Sequence, residues 1–152
     1  MLTALKSFLK KNLELADQLT DAADAELIQM AAAVLFVEVM YSDHKVDERE
    51  RQTVCLALQK CFSLTDKEAE SLLKRAEDRI QDVTSLHEFT SLLHRNLTHE
   101  EKIGLVEQIW RIILADETID KYEEHLVRQI AELLYLRHSE FIQAKLRVQA
   151  SL

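Results

Sequence analysis

Two short acidic stretches hold the residues best placed to do chemistry. Residues 41–50 read Tyr-Ser-Asp-His-Lys-Val-Asp-Glu-Arg-Glu, and residues 114–123 read Leu-Ala-Asp-Glu-Thr-Ile-Asp-Lys-Tyr-Glu. Laid over one another they pair Asp43 with Asp116, Val46 with Ile119, Asp47 with Asp120 and Glu50 with Glu123, at a constant offset of 73 residues. Oxygen-rich clusters of this kind suit a hard divalent cation, calcium or magnesium. One site would gather Asp43, Asp47 and Glu50, and the other Asp116, Asp120 and Glu123 or Glu124. The spacing is not that of an EF-hand, which needs acids at alternate positions and a glycine. Helix capping explains part of the pattern without any ligand. Asp47 and Asp120 are good N-caps, Glu50 and Glu123 stand three residues on, and Val46 and Ile119 precede the cap as apolar staples. Capping leaves Asp43 and Asp116 unexplained, because a carboxylate at a helix C-terminus faces the negative end of the dipole.

These loops must be held by the elements on either side, and those read as helices throughout. Apolar residues recur at helical spacing almost everywhere. Leu2, Leu5, Leu9, Leu13 and Ala16 stripe a first amphipathic helix within residues 1–19. A second runs from about Asp24 to Ser42, apolar on all sides between Met30 and Met40 except at Glu38, and so belongs at the centre of a bundle. Further helices are expected from about Asp47 to Cys61, Thr65 to Gln81, Ser85 to Arg95, Thr98 to Ala115, Asp120 to Leu134 and Ser139 to Val148. Thr65 with Glu68 and Thr98 with Glu101 form capping boxes. The apolar helices before the two loops align as well, with Val37 opposite Trp110 and Glu38 opposite Arg111. A Glu38–Arg111 ion pair across the repeat is the expected partner for an acid that would be costly to bury alone.

Composition supports one all-α domain over residues 1–152, a single compact bundle of about seven to eight helices. Its core spans residues 20–148 and contains two pseudo-symmetric helix–loop–helix units. Proline is absent and Gly104 is the only glycine. A β-rich fold would need many residues tolerant of positive φ in its turns, and a phosphate-binding loop would need several glycines. The chain carries 19 Lys and Arg against 27 Asp and Glu, a formal charge of −8. Residues 1–13 hold Lys6, Lys10 and Lys11 and no acid, so the remainder is at −11. A nucleic-acid backbone would be repelled by that remainder, whereas cations and basic segments would be drawn to it. The longest uncharged apolar run, Met30 to Val37, is far too short to span a bilayer. The N-terminus lacks the features of a secretory signal, so a cytoplasmic location is expected.

Other chemistry finds little support. Cys55 and Cys61 are poorly directed for a disulfide and read as two buried, inert thiols in a reducing compartment. None of His44, His87, His94, His99, His125 and His138 stands at zinc-binding spacing from a cysteine, and solvated or capping roles suit each. No serine sits in a glycine-flanked elbow. The expectation is therefore a binding module and not an enzyme, with no organic cofactor.

The stretches Val37-Glu38-Val39-Met40-Tyr41-Ser42-Asp43, Leu86-His87-Glu88-Phe89, Trp110-Arg111-Ile112-Ile113-Leu114-Ala115-Asp116 and Tyr122-Glu123-Glu124-His125-Leu126 resemble the tellurite-resistance TerB family. The resemblance covers about residues 20–148. It implies an all-α fold, a stress-response role in the cytoplasm or at the membrane periphery, and a divalent-cation site at Asp43, Asp47, Asp116 and Asp120. It implies no catalytic activity. Many members of that family have Asp-Gly in the loop, whereas His44 and Glu117 follow the aspartates here, which counts against a geometry built on backbone carbonyls. Similar domains also precede J-domains in membrane-anchored co-chaperones, but the His-Pro-Asp motif of a J-domain needs a proline that this chain lacks. The second expectation is thus a metal-free, co-chaperone-like interaction module. It would dock on an unknown protein partner, or on an anionic membrane surface through the basic N-terminal helix. The sequence does not specify an oligomeric state.

Overall fold

The structure, a computed structural model, describes residues 14–42, 48–82, 85–115 and 121–152, with side chains from Asp24 onward. Seven helices lie among the described residues: α1 (Glu14–Met40), α2 (Glu48–Phe62), α3 (Asp66–Ile80), α4 (His87–Asn96), α5 (His99–Leu114), α6 (Lys121–Leu133) and α7 (His138–Ala150). All described secondary structure is helical, as the lack of proline and the scarcity of glycine require. The boundaries differ from expectation mainly at one place. The helix expected from Asp24 begins at Glu14 instead, so the end of the expected first helix and the start of the second are one continuous element. The rest of the expected N-terminal helix, residues 1–13, lies outside the described residues.

α1 is central because it has no polar face to give to solvent. Every residue from Met30 to Val37 is buried, as are Val39 and Met40, and only Glu38 interrupts the run. α5 is the second core helix, burying Leu105, Val106, Ile109, Trp110, Ile112 and Ile113. The two pack against each other, and each is covered by the helical hairpin that follows it in the chain: α1 by α2 and α3, α5 by α6 and α7. α4 closes the remaining side of α1 and also touches α6. The covering helices are amphipathic at helical spacing. α2 buries Glu50, Val54, Ala57 and Leu58, and α6 buries Glu123, Val127, Ile130 and Ala131.

Local signals define the helix ends. At α3 and α5 both halves of the capping box form: Thr65 Oγ1 accepts the Glu68 N–H while Glu68 accepts the Thr65 N–H, and Thr98 and Glu101 do the same. The two covering hairpins turn through left-handed residues, Ser63 (φ 56°) and Tyr135 (φ 62°), neither of them glycine. At the end of α6 the Leu136 N–H reaches the Ala131 carbonyl and the Tyr135 N–H reaches that of Glu132. This is a Schellman closure, and the buried Leu136 supplies its apolar contact.

Candidate metal centre

The two acidic stretches hold equivalent places in the order of elements. One follows the C-terminus of the core helix α1 and leads into α2; the other follows the core helix α5 and leads into α6. Asp43, Asp47, Asp116 and Asp120, with His44, Val46, Glu117 and Ile119, lie outside the described residues. The described members of the candidate set are Glu50, Glu123 and Glu124. Among the described residues alone, no group of three or more His, Cys, Asp or Glu side chains is arranged to hold a metal ion.

Glu50 and Glu123 are buried to the same degree, 2% and 1% exposed, on the core-facing sides of α2 and α6. A carboxylate near a helix N-terminus gains from the dipole while still in water, so capping alone does not require burial. Glu68 and Glu101, which complete ordinary capping boxes, are both exposed. Glu50 and Glu123 are thus set apart from the exposed capping acids by their burial, and each has a polar interaction within the chain. Glu124 differs from its neighbour, since its Oε2 lies 3.6 Å from the Lys145 Nζ at the edge of α7. The same ammonium sits 5.2 Å from the ring centroid of Trp110, behind the second loop. The Trp110 indole is fully buried against Phe141 (5.2 Å between centroids), and its Nε1–H has no acceptor among the described residues.

Beside the first loop stands a cluster that the sequence did not signal. The Tyr41 hydroxyl donates to Glu77 Oε2 (2.9 Å), and the Arg51 guanidinium donates to the same oxygen. These contacts tie the end of α1 and the start of α2 to the end of α3, bracing the loop between them. Burial and the hydrogen bond to Glu77 push the Tyr41 phenol above its ordinary pKa. Long-range partners such as Glu77 have no fixed spacing along the chain, so no motif could reveal them.

Two expected arrangements are corrected. The Glu38–Arg111 pair does not form: Arg111 NH1 donates to Ser151 Oγ (3.1 Å) at the chain's C-terminal end, and Glu38 has no ion pair among the described residues. Burial raises the Glu38 carboxyl above its ordinary value. A match along the repeat does not by itself bring these two side chains together. The thiols are not both buried either. Cys55 is half-buried and Cys61 is exposed as a residue, although desolvation of its thiol pushes the pKa up to about 11. Cys61 lies in the last turn of α2, seven residues after the buried Val54 and on nearly the same face, but there the helix end borders an open groove and not the core.

The described histidines take peripheral roles. His99 Nε2 meets Glu140 Oε2, joining the starts of α5 and α7. His94 Nδ1 lies 2.5 Å from the Nζ of Lys102, a lysine 7% exposed whose pKa burial lowers. Lys102 had a legible signal: it stands three residues before Leu105 and seven before Ile109, on the inward face of α5.

The chain matches the family described as "Tellurite resistance protein TerB" over residues 29–146, a stretch that includes both loops and all but the ends of the bundle. The fold is similar to that of a crystal structure of a protein of unknown function from Porphyromonas gingivalis W83. The TM-score is 0.61 and the identity 17%, with 82% of this chain and 95% of that chain covered. No curated protein sequence matches the chain. Among the described residues no helix is long and apolar enough to cross a membrane. With two loops of matching acids following two buried core helices, and the family match spanning both, the chain belongs to the TerB family.

Proposed function

We propose that the protein is a non-enzymatic binding module of the cytoplasm whose paired inter-helix loops take up a divalent cation, calcium or magnesium. Asp43, Asp47 and Glu50 would hold it at the first loop, and Asp116, Asp120 and Glu123, flanked by Glu124, at the second. The observation that carries this reading is the burial of Glu50 and Glu123 at matching places after two acidic loops. Each of these carboxylates already has a polar interaction within the chain, and a cation would add to the compensation that a carboxylate withdrawn from water needs. The donor set is all oxygen, which fits a hard cation and excludes a soft one. A bound cation would supply positive charge where the C-termini of α1 and α5 concentrate negative charge. The chain's own contribution is to hold the carboxylates on rigid helix starts and to keep water from their inner face.

A thermal melt with amide NMR tests the reading. A cation at 100 times its dissociation constant should add about 2.7 kcal/mol of stability. Asp43→Asn and Asp116→Asn should each remove part of that gain, while the metal-free variants stay as stable or become slightly more so, because an acid at a helix C-terminus has been neutralised. Asp47→Asn should leave the metal-free stability nearly unchanged, since asparagine still caps. Trp110 stands six residues before Asp116, about 9 Å along the helix axis, close enough for its fluorescence to report on the second loop. If millimolar calcium, magnesium and manganese leave both the melt and the amide signals around the loops unmoved, the cation reading is wrong.

A second reading is favoured by two exposed aromatics. Tyr41 and Tyr122, 40% and 74% exposed, flank the first and second loops, and tyrosine is enriched where protein surfaces meet. On this reading the loops are part of a metal-free, co-chaperone-like docking surface for a protein partner. Tyr122→Ala would then weaken partner binding without changing any response to cations.

A further inference from the structure

Away from the acidic loops, an open groove of about 540 Å³ runs between α1, the end of α2 and the junction of α4 with α5. Ile28, Phe62, Leu97 and Leu105 give it an apolar wall, and Gly104 lies among them. Gly104 is the chain's only glycine and stands inside α5, where glycine is less stable than alanine by roughly 1 kcal/mol. A Cβ built there would meet no atom within 4 Å, so packing within the chain does not call for a glycine. Its effect is to leave bare helix backbone open to the groove.

The polar groups of the groove are unevenly engaged. Gln108, one turn further along α5, is 8% exposed, yet its amide makes no hydrogen bond among the described residues. The amide is not sealed from solvent, so its hydrogen-bonding capacity stays open at the groove, where a ligand can take it up. Of the two acids lining it, Glu101 accepts the Thr98 N–H in its capping box and Glu107 binds the Arg147 Nε at 2.6 Å. Of the two cations, Lys60 and Arg111, neither meets a carboxylate among the described residues, and the buried Arg111 Nε has no acceptor. The acids are committed and the cations are not.

We propose that this groove binds a monomeric single-chain amphiphile with an anionic head, a long-chain carboxylate in the simplest case. The chain lies along Phe62, Leu97 and Leu105 and crosses the bare backbone at Gly104. The carboxylate is drawn to Lys60 and Arg111, with the Gln108 amide donating to it. The volume falls in the range of roughly 300–1,000 Å³ usual for small-ligand sites, as does the pattern of an apolar wall with few polar groups. The site is separate from the loops and stands or falls independently of the cation reading.

Calorimetric titration of the full chain with dodecanoate, kept below its micelle-forming concentration, tests the proposal, and the cysteines report the location. Cys61 lines this groove, whereas Cys55 lines a different one between α2 and α3. Saturating dodecanoate should slow the alkaline alkylation of Cys61 roughly tenfold and leave Cys55 unaffected. Gly104→Leu fills the notch and should weaken binding by at least about tenfold. Its melting temperature should hold or rise, because leucine is the better helix former and its Cβ has open space. Gln108→Leu, which keeps the volume and removes the amide, should weaken binding several-fold. Dodecanol and dodecyltrimethylammonium should each bind at least about tenfold more weakly than dodecanoate. The proposal is overturned by the absence of a saturable heat, by equal protection of both thiols, by unchanged affinity in folded Gly104→Leu, or by dodecanol binding as tightly as dodecanoate. Binding to phosphatidylglycerol vesicles without binding of the monomer would also overturn it.

Discussion

Glu38 shows how one residue can work against an otherwise consistent design. It sits in the most buried stretch of α1, half-buried and without an ion pair among the described residues, and burial holds its carboxyl above the ordinary value. A raised carboxyl pKa means that the native state favours the neutral acid, so the penalty appears as pH rises from the ordinary value of 4.5 through the raised one. Glu38→Gln is therefore expected to stabilise the metal-free protein at neutral pH by about 1 kcal/mol. Urea melts should show that gain shrinking away below the ordinary carboxyl range. A variant no more stable than the parent at pH 7 would mean that the acid is compensated after all. Glu50 and Glu123 are the instructive contrast. They too are buried acids, but each has a polar interaction within the chain, and they recur at matching places beside acidic loops, which is what makes them candidates for a site.

At the scale of the helix, ends matter more than middles. Thr65 and Thr98 satisfy backbone donors that nothing else reaches, with the reciprocal bonds from Glu68 and Glu101 in place. Thr65→Ala and Thr98→Ala should each cost about 1 kcal/mol in chemical denaturation. The start of α7 looks similar but is not. Glu140 accepts the Arg137 N–H (2.8 Å), yet an arginine side chain has no acceptor to return the bond. Arg137→Ala should accordingly change stability by no more than a few tenths of a kcal/mol. Equal losses at all three positions would show that the threonine hydroxyls add nothing specific to the caps, since the backbone bond to the reciprocal carboxylate is kept in every variant.

The whole molecule is shaped by its charge. The formal charge is −8, and residues 14–152 by themselves carry −11, so the surface repels itself; ion pairs such as Arg51–Glu77 and Arg147–Glu107 relieve a small part of this among the described residues. Raising sodium chloride from low to roughly physiological ionic strength should increase the melting temperature by screening that repulsion. Magnesium or calcium chloride at matched ionic strength separates this effect from specific uptake. A divalent increment that persists at matched ionic strength and disappears in Asp43→Asn with Asp116→Asn belongs to the loops. One that survives the double substitution is general screening.

Local and periodic features were legible in the chain itself. Helical class followed from the absent proline and lone glycine. The apolar run of α1 marked it as central, and the Thr-x-x-Glu boxes set the starts of α3 and α5 to within a residue. These signals are carried by neighbours within one or two turns, so no tertiary information is needed to read them. The paired loops were legible for the same reason, as a repeat along the chain. What only the packed structure decided involves partners far apart in sequence. It turned Arg111 to Ser151 and left Glu38 alone, because crossing angles between helices, and not repeat alignment, determine which side chains meet. It gathered Tyr41, Arg51 and Glu77 from three parts of the bundle, and it exposed Cys61 because the end of α2 borders an open groove. It also joined Gly104 and Gln108 to Phe62 and Leu97 across one groove. Burial of Glu50 and Glu123 was another decision of this kind: the spacing showed acids suited to capping, but the face of the helix presented to the core is set by how the helices pack, and packing drew those two carboxylates inside.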